Sequence, residues 1–552
     1  MKLGRADAYY QETKFGARAI PSVAATTPFF TGKTEWGYIG VPIKVTSWTD
    51  YKIKFGSFIS GAYLPYVVYS FFRAGGSVCY VQSLKASTTV AQPTQATIPV
   101  VDDGDTKIGD IYFNYACAAG NQFSVVCAPV PGESDLFYLR LRRNSNTIIT
   151  YGPLSKDPDN VLFWEKELNK YNSNGEVIND LGSDYIYVVD STGSSNLPKG
   201  VSAGNNSPAF TLAGGSDGIE ALEADYIGVK SSKTGMYAIL PIYSKIDFIA
   251  NVEIFTDSYI EALVKFGAAY NIPFVSTLPS DTLPNSASSK GIVLSKKDYG
   301  EDPAEYPIDT EKININDYIN SFMKIAYPWI EMYDQVKATG DFIKVPACGF
   351  EIGGYCAQDI ALLKEGGISS GRNLAISNSP YGSYTDKGAF GLSHDISEEE
   401  GKDLLAGRIS EVRKFYSNDD TLIVMSWGER TLSRDNDYKF FPNRRALTWI
   451  QRDMLKLGRG FVFRPLDKGF LPAAEKLIYQ RLDKILKNTA GMFYSPVFAE
   501  SIHLRVDDPT LNTEAILAKD MAYAEVGVRL ARMVEFFIFK IGFFSGSAEL
   551  VS

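Results

Sequence analysis

The chain has 552 residues, more than one hydrophobic core can serve, so we expect three or four domains. Hydrophobic residues make up 45% and charged residues 22%, a globular composition that argues against large-scale disorder. The net charge is −9 and Lys and Arg are not clustered, which argues against a general binder of nucleic acid or anionic membrane, because phosphate contacts need concentrated positive charge.

The cysteines are few, and their spacing matches no zinc or redox motif: Cys117 and Cys127 form one loose pair, Cys348 and Cys356 another. We therefore expect reduced, buried thiols of a cytosolic protein. Residues Met1 to Asp7 lack an apolar segment, and no run of roughly eighteen apolar residues occurs. We expect neither a secretory signal nor membrane insertion.

The first quarter of the chain opens with a short mixed unit. Phe29–Gly32, Ile43–Thr46 and Val78–Gln82 have strand composition, and Ser47 can cap the turn after the second of them. Pro65–Phe72 is mostly apolar and predicts a helix. This unit needs a partner layer from elsewhere in the chain.

From about residue 85 to 208 the composition shifts toward Thr, Ser, Gly, Asn and Asp. One helix is predicted near Val161 to Tyr171, among strands separated by turn residues. The strands are Ile111–Tyr115, Phe123–Cys127, Leu136–Leu141 and Tyr185–Val189. We interpret this block as a β-rich module inserted in a surface loop of the core.

A glycine-rich loop, Leu212–Gly218, follows the block. It lacks the lysine and the spacing of a phosphate-binding loop, so a tight turn needing positive φ is the favoured interpretation. Beyond it, to about residue 430, helices and strands alternate, which predicts a partly parallel sheet. The predicted elements are the strands Ile246–Ile249 and Ile272–Thr277, the helices Ser258–Tyr270 and Gly354–Glu365, and a polar surface loop from Ser280 to Asn314.

The final segment alternates clearly. Thr421–Ser426 is predicted to be a buried strand, and Pro442 to start a helix through Leu457. Leu471 to Asn488 has the apolar period of an amphipathic helix. Strands are predicted at Phe461–Phe463, Ser501–Val506 and Ala524–Val528, which completes a two-layer domain.

One stretch near the C-terminus, Val534 to Phe544, is unusually apolar for a strand. In extended form Phe537, Phe539, Ile541 and Phe543 would share one face. Such a strand cannot lie at an exposed sheet edge without inviting another chain to pair with it. Either it is a core strand of its own subunit, or a neighbouring subunit fills the edge.

No constellation of residues indicates catalysis. His394 and His503 lack nucleophile neighbours and metal-ligand spacing. The carboxylates Glu398 to Glu400 fit the solvated first turn of a helix. We predict no catalytic, cofactor-binding or metal site and no cofactor, while an enzyme with a site assembled from distant loops stays open.

Several stretches together resemble one family, the sheath proteins of contractile phage tails and of phage-tail-like contractile injection systems. They occur in the family's order over nearly the whole chain: Val23–Lys33, Ser47–Gly56, Tyr66–Val81, Ala119–Asn121, Leu212–Gly218, Ala224–Gly228, Thr234–Ile239, Val345–Asp359, Trp427–Leu432, Asn443–Ala446, Phe461–Pro465, Glu525–Val528 and Glu535–Gly542. Two departures are visible. Glu429 stands where a small residue is usual, and the segment from Asn373 to Ser417 matches poorly.

The resemblance implies a mixed α/β (α+β) multidomain fold with a discontinuous core domain built from N- and C-terminal segments, a middle α/β domain and an inserted β-rich outer domain. The expected parts are an N-terminal linking arm (1–20), the first part of the core and middle domain (21–84), the inserted outer domain (85–210), the middle α/β sheath domain (211–430), the C-terminal core sheath domain (431–542) and a C-terminal linking arm (543–552).

The resemblance further implies subunits joined by strand exchange, in which terminal segments add to the sheet of adjacent subunits. The exchanging residues would be Ala8, Tyr9, Tyr10, Gln11, Glu12, Phe536, Phe537, Ile538, Phe539, Ile541 and Phe543. The structural residues of the family motifs would be Gly214, Gly215, Asp217, Gly218, Arg430, Thr431, Arg444 and Arg445.

The implied function is structural. Subunits would stack as helically wound hexameric rings around an inner tube and contract to drive that tube through a target envelope. The implied partners are copies of the chain itself, the inner tube protein, and baseplate and terminator or cap proteins, without direct nucleic-acid contact. We expect synthesis in a host or producer cytoplasm and assembly into a tail or injection particle. The alternatives are an enzyme with an appended β-rich module and a non-contractile tube or baseplate component.

Overall fold

The computed structural model describes residues 26–86, 92–170, 182–191, 195–302, 306, 312–337, 339–362, 387–416, 422–488, 492–532, 535–536 and 538–539. The expected linking arms, 1–20 and 543–552, lie outside these residues. So do the candidate exchange residues Ala8, Tyr9, Tyr10, Gln11, Glu12, Phe537, Ile541 and Phe543.

The N-terminal unit contains the three predicted strands and the predicted helix, and Trp48–Phe55 forms a second helix where a capped turn was predicted. The Ser47 hydroxyl accepts a hydrogen bond from the Asp50 N–H at 3.0 Å, which confirms the predicted cap. The elements are β1 (Pro28–Gly32), β2 (Ile43–Val45), α1 (Trp48–Phe55), α2 (Leu64–Arg73) and β3 (Cys79–Ser83).

The next block is antiparallel throughout. Its elements are β4 (Gln95–Val101), β5 (Lys107–Ala116), β6 (Phe123–Val130), β7 (Glu133–Arg143), β8 (Asn146–Ser155), α3 (Trp164–Leu168), β9 (Ile186–Asp190) and β10 (Phe210–Thr211). Two sheets, β10-β6-β7-β8 and β4-β5-β9, enclose one apolar core. The helix is shorter than the eleven-residue pattern suggested, because only Trp164 and Leu168 point inward.

The middle segment supplies most of the central layer. Its elements are α4 (Glu223–Ile227), a 3₁₀ segment (Gly235–Lys245), β11 (Phe248–Ala250), α5 (Asp257–Ala269), β12 (Phe274–Ser276), α6 (Pro284–Ser295), α7 (Ile315–Asn320), β13 (Met323–Tyr327), β14 (Ile330–Tyr333), β15 (Phe342–Val345), α8 (Cys348–Leu362), β16 (Gly391–Leu392), α9 (Glu398–Ala406), β17 (Ser410–Tyr416) and β18 (Leu422–Ser426).

An eight-stranded sheet in the order β18-β17-β13-β12-β11-β1-β3-β2 organises the molecule. The inner strands are parallel and only β2 and β18 pair antiparallel, which confirms the predicted partly parallel sheet. Helices α2 and α8 cover one face and α5, α6 and α7 the other. This two-sided burial explains the continuous apolar runs of the inner strands.

Two predictions in this segment are wrong. The polar stretch from Ser280 to Asn314 contains helix α6, which starts at Pro284 and buries Ala287 and Leu294 among its serines. Strand β18, predicted to be buried, is the sheet's edge and exposes part of Leu422 and Ile423.

The C-terminal segment builds a separate apolar core. Its elements are α10 (Phe441–Gly458), α11 (Phe470–Asn488), α12 (Phe498–Ser501), β19 (Ile502–Arg505), α13 (Glu514–Leu517) and β20 (Glu525–Val528). The period of α11 places Ile478, Leu482 and Ile485 in that core, as predicted. The predicted strand Phe461–Phe463 is wrong: these residues form a turn, with Phe463 exposed at a φ of 64°.

All five cysteines are buried and free, which confirms the prediction of buried thiols. Among the described residues, no helix is long and apolar enough to cross a membrane.

Candidate inter-subunit linking site

The C-terminal stretch starts at a carboxylate held by two cations. Arg430 contacts Glu535 at two points, Nε to Oε1 at 2.6 Å and Nη2 to Oε2 at 2.9 Å, and Lys439 Nζ lies 2.5 Å from Oε2. The third arm of the guanidinium donates to the Leu405 carbonyl at 3.0 Å. Partial burial raises the pKa of Glu535, but the hydrogen bonds from Arg430 and Lys439 outweigh it and hold the pKa below its usual value.

Directly after this anchor the chain exposes apolar side chains. Phe536, Ile538 and Phe539 are 69%, 79% and 76% exposed, and none lies in a strand. At these positions the interpretation as a core strand of its own subunit is therefore wrong. The other interpretation, in which a neighbouring subunit covers the stretch, stays a prediction.

The C-terminal core carries a very small sheet. Strands β19 and β20 pair antiparallel, with Ile502 opposite Val528 and Leu504 opposite Val526, and these side chains pack on the core. In the part of the chain that the structure describes, this sheet has those two strands alone. A two-stranded sheet is marginally stable, and a third strand on a free edge would complete it.

Hydrogen bonds of Thr431 fix the turn that carries Arg430. Thr431 is fully buried; its hydroxyl donates to the Tyr438 carbonyl at 2.6 Å and its N–H to the Lys439 carbonyl at 2.9 Å. These contacts place Arg430 and Lys439 side by side, which explains why both reach the same carboxylate.

Sequence reasoning missed the charged cluster beneath this turn. Lys324 on β13 is fully buried and lies 2.9 Å from Glu351 on α8 and 3.1 Å from Glu429, which also accepts the Tyr355 hydroxyl. Burial alone lowers the pKa of Lys324, but the two carboxylates raise it above its usual value, whereas burial raises the pKa of Glu351. A lysine inside the apolar run Met323–Tyr327 was the signal in the sequence.

The arrangement offers structural contacts, and the histidines take no part in it. His394 lies against the Ser393 hydroxyl at 3.1 Å and stacks on Tyr327, and His503 lies exposed on β19. Within the described ranges, no group of three or more His, Cys, Asp or Glu side chains could hold a metal ion.

The similarity of this chain to known proteins is found in its structure. No family model matches the chain, and no curated protein matches it. Among solved structures, the sheath of an extracellular contractile injection system, PVC, in its contracted state is 14% identical, with a TM-score of 0.54 over 98% of this chain and 98% of that one. The sheath tail protein from Listeria innocua is 12% identical, with a TM-score of 0.53 over 87% and 88%.

The sheath tail protein from Desulfitobacterium hafniense is also similar, at 12% identity and a TM-score of 0.52 over 91% of this chain and 94% of that one. The chain has the fold of a contractile-tail sheath protein. The expected mixed α/β multidomain architecture is thereby confirmed.

The glycine-rich loop of this sheath fold forms the base of the antiparallel block. Gly214 and Gly218 have φ values of 83° and 66°, as a tight turn requires. At Gly215 an added Cβ would meet the Cys117 carbonyl oxygen at 2.4 Å, so the backbones touch. Lys85 Nζ donates a hydrogen bond to the Asp217 carboxylate at 3.1 Å. Because Lys85 lies just before the antiparallel block in the chain and Asp217 just after it, this contact joins the two connections between the block and the central sheet.

The arginine pair of α10 joins the C-terminal core to the central sheet. Arg444 is buried, with its guanidinium 4.2 Å from the Phe322 ring and a hydrogen bond of 3.2 Å to Gln451; burial lowers its pKa. Arg445 pairs with Asp359 on α8 and donates to Thr26 at 2.9 Å. Both arginines therefore connect α10 to elements of the central layer.

Proposed function

We propose that this chain is the structural subunit of a contractile sheath, which polymerises as stacked, helically wound hexameric rings around an inner tube and shortens to drive that tube through a target envelope. The sheath fold over nearly the whole chain carries the proposal. It is supported by the apolar stretch after Glu535, which is anchored yet exposed.

The proposed link between subunits is strand exchange. The stretch from Phe536 onward leaves its own subunit and adds to the sheet of β19 and β20 in a neighbour, with residues 8–12 of another subunit as the second added strand. Burial of Phe536, Ile538 and Phe539 against a neighbour removes apolar surface from water, at about 25 cal/mol per Å².

Strand exchange gives such a polymer two kinds of contact. Backbone ladders keep subunits connected during a change of shape, while side-chain interfaces between subunits repack from one arrangement to another. Energy stored on assembly then drives shortening, so firing needs no nucleotide. The proposed partners are further copies of the chain, the inner tube, the baseplate and a terminator or cap, and the proposed role is non-enzymatic.

Negative-stain microscopy of the purified chain tests this function. Full-length protein is expected to form long hollow cylinders, and a variant lacking residues 1–15 only monomers or loose rings. A monodisperse monomer at every concentration and salt for the full-length chain would overturn the proposal.

A further inference from the structure

The short turn from Trp427 to Thr431 points two neighbouring charged side chains in opposite directions. Glu429 turns inward, where its carboxylate lies 3.1 Å from Lys324 and accepts the Tyr355 hydroxyl. Arg430 turns outward and holds Glu535 at two points. One peptide unit thus separates a buried ion pair from the anchor of the C-terminal stretch.

On the buried side of this turn two carboxylates lie beside Lys324, one more than is needed to neutralise its charge. Glu351 on α8 already pairs with Lys324 at 2.9 Å, and both side chains are fully buried. A second carboxylate at position 429 is costly to bury, because an ion loses its hydration when it leaves water.

The backbone of the turn transmits the position of Glu429 to Arg430. The Trp427 N–H donates to the Glu411 carbonyl at 2.8 Å, and the Phe441 N–H donates to the Glu429 carbonyl at 2.9 Å. These two backbone hydrogen bonds, together with the buried contacts of the Glu429 carboxylate, hold the peptide from which the Arg430 side chain starts.

We propose that Glu429 is a positioning residue for the C-terminal linking stretch: its buried pair with Lys324 sets the turn so that Arg430 and Lys439 hold Glu535 and keep Phe536, Ile538 and Phe539 on the exposed surface. The proposal rests on the proposed function in one respect, namely that the C-terminal stretch is the strand that links subunits. The partner it serves is a second copy of this chain.

A nitroxide label tests the proposal in the full-length chain, diluted below the concentration at which pelleting detects polymer. The label is attached to an Ile538→Cys variant, and the native cysteines are buried and do not compete. Its mobility is measured by electron paramagnetic resonance in the parent, in Glu429→Gln and in Arg430→Gln, which removes the grip directly.

Glu351→Gln is the matched control, since it makes the same chemical change beside the same lysine on an element that does not carry Arg430. The ratio of mobile to immobilised label should rise about tenfold in Glu429→Gln and Arg430→Gln, the change in equilibrium expected for loss of a charged hydrogen bond, and should stay unchanged in Glu351→Gln. Glu429→Ala gives the residue size usual in the resembled family and leaves Lys324 paired with Glu351, so it replaces Glu429→Gln if that variant does not fold.

Equal mobility in the parent and both Glu429 variants, or an equal rise in Glu351→Gln, would overturn the positioning role. Pelleting of unlabelled protein gives a separate readout of polymer. If the parent forms none, the proposed function fails, while the comparison of label mobility still decides the role of Glu429.

Discussion

Arg430 and Glu535, separated by 105 positions in the chain, form a two-point ion pair with distances of 2.6 and 2.9 Å. Both side chains are mostly shielded from water, at 16% and 18% exposure. The pair joins the edge of the central sheet to the start of the apolar C-terminal stretch. This contact fixes the position of Glu535 against the turn that carries Arg430.

Removal of either member of the pair should impair polymer formation. Arg430→Gln or Glu535→Gln loses charged hydrogen bonds worth roughly 1.5–3 kcal/mol, which corresponds to at least a tenfold smaller pelleted fraction near the assembly midpoint. The double variant should be no worse than the worse single variant, because the two residues act as one unit. Additive losses would contradict the pair. Arg434→Gln, beside it but half exposed, is the control.

Glu253 should give the chain a pH-dependent stability. Its carboxylate accepts the N–H groups of Tyr63 and Leu64 at 3.0 and 2.9 Å at the start of α2, and burial raises its pKa from 4.5 to about 7. Between these values the folded chain holds a proton that the unfolded chain releases, so stability falls as the pH rises from about 4.5 to 7.

Glu253→Gln keeps an acceptor and removes the titration. In urea unfolding, the free energy of unfolding of the variant relative to that of the parent should rise by on the order of 3 kcal/mol between pH 4.5 and 8. Glu398→Gln, an exposed carboxylate, should show a small and pH-independent difference. The same flat difference for Glu253→Gln would contradict the buried, protonated state.

The C-terminal core should depend on one buried ion pair. Arg481 on α11 contacts Asp453 on α10 at 2.6 Å through two nitrogens, and both side chains are buried. Arg481→Met leaves a buried carboxylate without this partner and should cost about 3–5 kcal/mol in thermal unfolding. Lys487→Met, which breaks an exposed pair with Asp483, should have little effect on thermal unfolding. Equal effects would contradict the difference in burial.

The glycine-rich loop gives a steric prediction. Gly215→Ala places a methyl group 2.4 Å from the Cys117 carbonyl oxygen and should destabilise the base of the antiparallel block by about 1–3 kcal/mol, seen as faster proteolysis of that block. Gly458→Ala, at the end of α10 with nothing within 4 Å, should be neutral or stabilising. Unchanged proteolysis of Gly215→Ala would mean that the backbones do not touch there.

Local sequence patterns predicted much of the fold. The apolar period of residues 471–488, the proline at position 442 and the alternation after residue 218 predicted helices and a parallel sheet that the chain forms. Helix α6 was not predicted because serine and asparagine are weak helix formers, and tertiary packing decides whether a segment rich in them becomes helical. The strand predicted at Phe461 failed since three apolar residues do not distinguish a strand from an exposed turn.

The candidate site was only partly visible in the sequence. The resemblance marked Arg430 and the stretch after Glu535, and it marked Glu429 as a departure. The contact of Glu429 with Lys324 depends on the order of strands in the sheet, and the contact of Arg430 with Glu535 depends on the return of the chain to this turn after the C-terminal core. Neither contact has a local signal in the sequence. A buried lysine in an apolar strand indicates a carboxylate partner, but not which one.

Strand exchange is tested most directly by cross-linking between subunits. A full-length variant with Ile538→Cys and His503→Cys, the latter exposed on β19, is treated with a flexible bis-maleimide and run on a denaturing gel. Strand exchange predicts a ladder of covalent multimers, and only faint dimers when Ile538→Cys is combined with Ile148→Cys in the antiparallel block. A single monomer band from the first variant, under conditions in which both cysteines react, would contradict the exchange of C-terminal strands between subunits.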